Sequence, residues 1–207
     1  MSFASYRPNL WIIIAKTVIK ESNPAVNKYL LFLCLSIPLL MLSWRTLIDY
    51  KSHGFYRFFS WECIAWLLVN NYVFWFTDPF SAWQVFSWIL LLTSVYLVIA
   101  GTVLLKRKGK QEQKSGREAL YQFERTTDLV ETGIYRYIRH PLYSSLLFLT
   151  WGILLKNPSA GMIFTAVLSS VFLYLTAIFD EKECIAFFGK NYVEYMQRSK
   201  MFLPWIF

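Results

Sequence analysis

The residues from Gly133 to Tyr143, GIYRYIRHPLY, carry side chains whose types and order suit anion binding. Pro141 fits the first turn of a helix, where its missing N–H costs nothing, and that makes His140 the cap position. Arg139 then stands just before a helix N-terminus, the end that carries partial positive charge. A cation there is poorly placed unless something anionic shares the site, and helix starts of this kind are ready anion sites. One reading has Arg139, His140 and free backbone amides holding a carboxylate or phosphate of a ligand. The other has Arg139 snorkelling to lipid headgroups and His140 acting only as a cap.

A second stretch with chemical potential begins at Asp180: DEKECIAFFGKNYVEYMQRSKMFLPWIF. Ile185, Phe188, Tyr192 and Tyr195 fall at helical spacing and define an apolar, aromatic face. Glu181 lies four residues before Ile185, on that same face, while Glu183 groups with Lys190 and Glu194 on the other. A carboxylate heading an apolar stripe just beyond a membrane span is either partnered or functional. The competing reading is a solvated glutamate at a helix end. Gly189 interrupts the pattern, so the facing argument is strongest up to Phe188.

The elements that position these residues belong in a membrane. The chain has 207 residues, of which 56% are hydrophobic, 19% aromatic and only 16% charged. Long apolar runs in a single domain of that size are those of an integral membrane protein. Apolar spans are expected over 29–48 (with a kink at Pro38), 61–76 and 81–105, then two further runs, 142–155 and 161–179, around Lys156-Asn157-Pro158-Ser159. At about 1.5 Å per residue the run 142–155 falls short of ~30 Å of hydrocarbon, so a shallow hairpin is expected there. Residues 1–28 read as an interfacial helix and 106–117 as a polar surface segment. Glu62, Asn70 and Asn71 interrupt the second span; the asparagines either line a cavity or bond between helices.

The net charge of +8 is gathered between the spans rather than interleaved with exposed aromatics, which argues against a nucleic-acid partner. Six of the basic residues fall between Lys106 and Arg117. Positive-inside bias therefore puts the 106–141 connector and the C-terminus in the cytoplasm. The three cysteines, Cys34, Cys63 and Cys184, are far apart; Cys34 and Cys63 read as buried packing residues. With His53 and His140 the only histidines, no metal-ligand spacing exists and no metal is expected. No signal-peptide pattern follows the apolar patch Leu10–Ala15. The fold class expected is thus all-α and integral to the membrane. It has about five transmembrane helices, a short helical hairpin after the RHPxY motif and a C-terminal cytoplasmic amphipathic helix.

Residues 129–207 resemble the isoprenylcysteine carboxyl methyltransferase family and its phospholipid methyltransferase relatives. The resemblance rests on LVETGIYRYIRHPLY at 129–143, an Asn-Pro turn between two apolar runs, the acidic pair Asp180-Glu181, FGxxYxxY at 188–195 and the late Pro204. It divides the chain into 1–128, with three spans and the basic connector, and 129–207, the catalytic and cofactor-binding region. It implies an enzyme that binds S-adenosylmethionine on the cytoplasmic side and methylates a lipophilic acceptor, with membrane lipids as its other partners. By the motif match, Leu129, Val130, Tyr135, Arg139, His140, Tyr143 and Tyr192 would surround the cofactor, and Glu181 would be the functional glutamate at the substrate–cofactor junction. The pattern departs at Thr176, where the family's prenylcysteine enzymes carry an arginine for the substrate carboxylate. That departure argues against prenylcysteine carboxyl methylation.

Methyl transfer from a sulfonium is an in-line displacement that a dry, aligning site accelerates. A thiol or amine acceptor would call for a base, for which Glu181 is the candidate. Tyr143 and Tyr192 suit cation–π contact with the sulfonium, or interfacial anchoring. Two other functions fit part of the pattern: an NADPH-dependent membrane reductase of the sterol type, and a non-catalytic membrane scaffold. Such reductases usually carry asparagine before the motif tyrosine, where this chain has Leu142.

Overall fold

The structure is a computed structural model that describes residues 24–109 and 128–204. The expected interfacial helix therefore lies outside the described residues except at 24–28, and so does most of the basic connector. The described residues are all-helical. Among them six α-helices follow in order: α1 (Pro24–Ser43), α2 (His53–Asn71), α3 (Ala82–Lys108), α4 (Pro141–Leu154), α5 (Ala160–Phe188) and α6 (Lys190–Arg198). Single 3₁₀ turns at Tyr72–Phe74 and Gly133–Arg136 link them.

Several boundaries differ from expectation. The first helix stops at Ser43, whose carbonyl is shared between the Thr46 N–H (3.0 Å), the Thr46 hydroxyl (2.9 Å) and the Leu47 N–H (3.1 Å). The second starts at His53, ahead of the apolar run, because the Ser52 hydroxyl accepts the Gly54 N–H at 3.2 Å and caps it. The largest difference is at α5. Nothing between Phe179 and Phe188 breaks a helix, so the stretch expected to open a separate C-terminal helix extends α5 to 29 residues. Gly189, at φ +62° and ψ −136°, ends it in a conformation that a side chain would strain. The hairpin after the motif is therefore uneven, a 14-residue helix followed by one twice as long.

By length and composition α3 and α5 can cross a membrane, while residues Asn27–Ser43 of α1 and the whole of α4 are apolar but shorter. Outward faces confirm lipid rather than water as the surroundings: Ile89, Leu92, Val95, Tyr96 and Ile99 line one exposed side of α3. Cys34, expected inside, is on such a face, where a thiol is as compatible with lipid as with a core.

The core joins α2 through α5, with Ile64, Leu67, Leu91, Ile153, Leu154 and Ala166 buried together. Hydroxyls hold the helices where side chains are small. Ser60 and Ser169 bond at 3.0 Å across α2 and α5, and the Ser87 hydroxyl donates to the Gly152 carbonyl at 2.6 Å across α3 and α4. Asn71 bonds between helices, donating to the Ile153 carbonyl at 3.0 Å, whereas Asn70 donates back to Trp66 of its own helix at 2.8 Å. Glu62 is partnered by the Ser36 hydroxyl of α1. One end of the bundle is closed by Lys156, whose ammonium donates to Gln84 at 2.9 Å and sits 3.8 Å from the centre of the Trp88 ring. The start of α2, the end of α3, the motif and the acidic turns of α5 gather at the opposite end.

Candidate active site

The motif reaches its position through a strap. After the 3₁₀ turn, residues 137–140 run alongside 200–201: Lys200 N–H donates to Tyr137 (3.0 Å), Arg139 N–H to Lys200 (2.7 Å) and His140 N–H to Met201 (3.2 Å). The Ser144 hydroxyl then donates to the Phe202 carbonyl at 2.8 Å. Gly133 starts this path at φ +62°, with Leu104 so close that a Cβ would come within 2.6 Å of it. His140 is the cap residue and Pro141 the first of α4, as the sequence implies, but the imidazole makes no capping bond. The Arg139 and His140 amides are not free for a ligand, because the strap carbonyls accept them.

The anion that the position of Arg139 demands is the chain's own. Arg139 Nε donates to Glu181 Oε1 at 2.8 Å, with both side chains only 10% exposed. Its Nη1 donates to the carbonyls of Met196 (3.2 Å) and Ser199. His140 Nε2 lies 3.2 Å from the same Glu181 Oε1, and its Nδ1 lies 3.5 Å from Asp180 Oδ2. Tyr143 donates to that Asp180 oxygen at 3.1 Å and stacks on the His140 ring, centroids 5.3 Å apart. One network thus ties α4, α5 and the strap together. Both described contacts of Glu181 fall on Oε1.

Leu129, Val130, Tyr135, Arg139, His140, Tyr143 and Tyr192 all line one cavity of about 110 Å³. Asp180 is on its wall, with Leu105, Cys184, Phe188 and Tyr195. Glu181 is not; it stands behind Arg139 and His140. The stripe that starts at Glu181 leaves out Asp180 and Cys184, so periodicity does not mark them as lining the site. In place of that stripe, Ile185 is 38% exposed and Glu181 is buried. Phe188 and Tyr195 were already legible in FGxxYxxY. A polar groove of about 400 Å³ lined by Asp128, Asn191, Glu194 and Arg198 shares Leu129 and Phe188 with the cavity.

Burial alone would lower the His140 pKa, but Asp180 and Glu181 beside it outweigh that and raise it above its ordinary value. Burial pushes the Tyr192 phenol well up, so it stays neutral. The site therefore pairs two carboxylates with an arginine and a histidine that holds its proton readily. Glu183, placed by the sequence pattern on a solvent side, instead binds His53 of α2: Oε2 lies 2.9 Å from Nδ1, and Oε1 accepts the His53 N–H at 3.0 Å. The pattern failed because α5 is packed on α2 on that side. His53, Asp180 and Glu183 offer donor atoms within 4.8 Å of one another, a grouping that sequence spacing did not reveal. Each is already engaged, Asp180 by Tyr143 and Glu183 twice by His53, so the group reads as an ion-pair cluster.

An apolar groove of about 720 Å³ opens on the lipid-facing side between α3, α4 and α5, with Leu147, Trp151, Val171 and Tyr174 along it. Its inner end is at Ser144 and Phe202, beside the His140 ring, whose centre is 6.3 Å from that of Phe202. Thr176 is fully buried and its hydroxyl donates to the Phe172 carbonyl at 2.7 Å, so no cation stands at that position.

The sequence has known relatives. A model of the phospholipid methyltransferase family matches residues 83–191. Methanethiol S-methyltransferase 1 of Bradyrhizobium diazoefficiens is 27% identical over 179 residues, covering 86% of this chain and 54% of that protein. The probable protein-S-isoprenylcysteine O-methyltransferase of Oryza sativa subsp. japonica is 32% identical over 124 residues, covering 58% and 63%. The protein-S-isoprenylcysteine O-methyltransferase of Saccharomyces cerevisiae is 39% identical over 82 residues, covering 38% and 33%. The chain thus matches between about half and two thirds of the length of the first two relatives. No solved structure matches it.

Proposed function

This chain belongs to the phospholipid methyltransferase family, and from that premise we propose that it transfers a methyl group from S-adenosylmethionine to a lipophilic acceptor at the membrane surface. The observation that carries the reading is the convergence of all seven expected cofactor residues on one cavity walled by Asp180. A carboxylate, four tyrosines and an apolar rim suit a cationic, partly apolar ligand. Small-molecule sites usually span about 300–1,000 Å³, so the inner cavity takes only the sulfonium end, and the adjoining polar groove takes the remainder. Asp128 and Glu194 there are the acceptors for ribose hydroxyls. S-adenosylmethionine would supply a methyl carbon on sulfur, open to displacement by an acceptor lone pair as the carbon–sulfur bond breaks.

The protein's part is to exclude water, align the acceptor and move a proton where one is released. Glu181 Oε2 has no partner among the described residues and is the candidate for that work, with Oε1 held by Arg139 and His140. The acceptor's hydrocarbon lies in the apolar groove that ends at Ser144 and Phe202. With Thr176 in place of the family arginine, the acceptor is a thiol or amine rather than a free carboxylate. Incubating the purified protein with methyl-labelled S-adenosylmethionine and candidate acceptors tests this. The expected product resists mild base; label released as methanol would mark a methyl ester and contradict the assignment.

The same reading has five membrane passes, with the site at the cytoplasmic end. A cysteine introduced at Ser115 should then label from the cytoplasmic face and one at Ser159 from the opposite face. Labelling of both from one face contradicts it.

A further inference from the structure

His53 is the first residue of α2, outside the region that matches the family model, and it is fully buried. Burying an imidazole needs compensation; Glu183 supplies it at Nδ1, 2.9 Å away, and also accepts the backbone N–H at 3.0 Å, while Nε2 is buried with no hydrogen-bond partner among the described residues. This two-point contact falls one turn from Asp180 at the cavity wall. The donor atoms of His53, Asp180 and Glu183 lie within 4.8 Å of one another. We propose that His53 and Glu183 form a positioning couple that fixes Asp180 at the cavity wall, so that the N-terminal part of the chain completes the cofactor site.

The charges support this. The ionisable groups facing His53 are Asp180 and Glu183 from α5 and Arg57 from its own helix. Burial opposes a charge on the ring, yet the two carboxylates prevail over burial and Arg57 and raise its proton affinity. A histidine that keeps its proton there steadies both carboxylates. Asp180 then feels the charge of His53 from α2 across less than 4.8 Å, while Tyr143 and His140 contact it from the motif. Without the couple the last turns of α5 keep their helix but lose their registration on α2, and Asp180 loses its place.

The inference rests on the methyltransferase reading only for the ligand's identity. The test uses the full-length protein in detergent with S-adenosylhomocysteine as the probe. His53→Ala and Glu183→Gln should each weaken its binding about tenfold, as expected for coupling within one cluster of charged groups. His53→Asn keeps a donor where Nδ1 was and should recover most of that loss. In an Asp180→Asn background His53→Ala should cost little more. Ser60→Ala, which removes a different polar contact between α2 and α5, should change stability but not binding. Unchanged binding in both His53→Ala and Glu183→Gln overturns the proposal. If the wild type fails to bind the probe, the methyltransferase reading falls. The couple is then judged by unfolding alone: non-additive effects of His53→Ala and Asp180→Asn support it, additive effects overturn it.

Discussion

Glu181→Gln should lower turnover by about 10²–10⁴, the usual loss when a general base is removed. The substitution keeps the size of the side chain, and its amide oxygen can still accept from Arg139 and His140 as Oε1 does. What it removes is the charge and basicity of Oε2. Binding of S-adenosylhomocysteine should change little, because Glu181 does not line the cavity. The distinction between base and orienting group is kinetic. If Glu181 takes a proton from a thiol or amine, the pH–rate profile of the wild type should have an acidic limb that Glu181→Gln lacks. If it only orients the acceptor, the loss should be constant with pH. Glu183→Gln is unsuitable as a control, given its bonds to His53; Lys190→Gln, exposed at the start of α6, is the appropriate one. Equal activity of Glu181→Gln and wild type at every pH would remove Glu181 from the mechanism.

Arg139→Ala should be the most destabilising single change in the site. It leaves Glu181 with His140 alone and strips the donor from the carbonyls of Met196 and Ser199. Breaking a buried ion pair by removing one partner costs about 3–5 kcal/mol, and both side chains here are only 10% exposed, so screening relieves little of it. Arg139→Lys restores charge but not the fork that reaches three acceptors, and should recover only part. Denaturant unfolding in detergent measures both. This role also changes what Arg139→Ala can say about ligands. Weaker cofactor binding in that variant would mix a lost contact with a loosened strap, whereas His140→Ala leaves the arginine latch in place. A stability loss below about 1 kcal/mol, the worth of an exposed pair, would contradict the latch.

The sequence revealed the site better than it revealed the supports beneath it. Pro141 and His140 announced the helix start, and Arg139 announced that an anion had to be near, because a cation at that end is otherwise unfavourable. That the anion was Glu181, forty-two residues later, was beyond local reasoning. Periodicity put Tyr192 and Tyr195 on one face correctly, and both are buried. It failed for Glu183 because a residue's facing follows from what its helix packs against, and α2 was not in the count. His53 gave no local signal at all: one histidine in a polar connector, 130 residues from its partner. A helix start was misplaced where a side chain intervened, through Ser52 at the start of α2. The long α5 was misdivided because a run of charges reads as the end of a span, while the backbone has no reason to stop before Gly189.

Equilibrium binding to the detergent-purified protein, comparing S-adenosylhomocysteine with NADPH, tests the central claim most directly. A methyltransferase site walled by Asp180, with Leu142 in the place of a reductase's asparagine, should bind the first saturably and the second not at all. His140→Ala should weaken that binding while the protein remains folded. Binding of NADPH in place of S-adenosylhomocysteine would identify a reductase, and binding of neither would contradict a methyl-donor site.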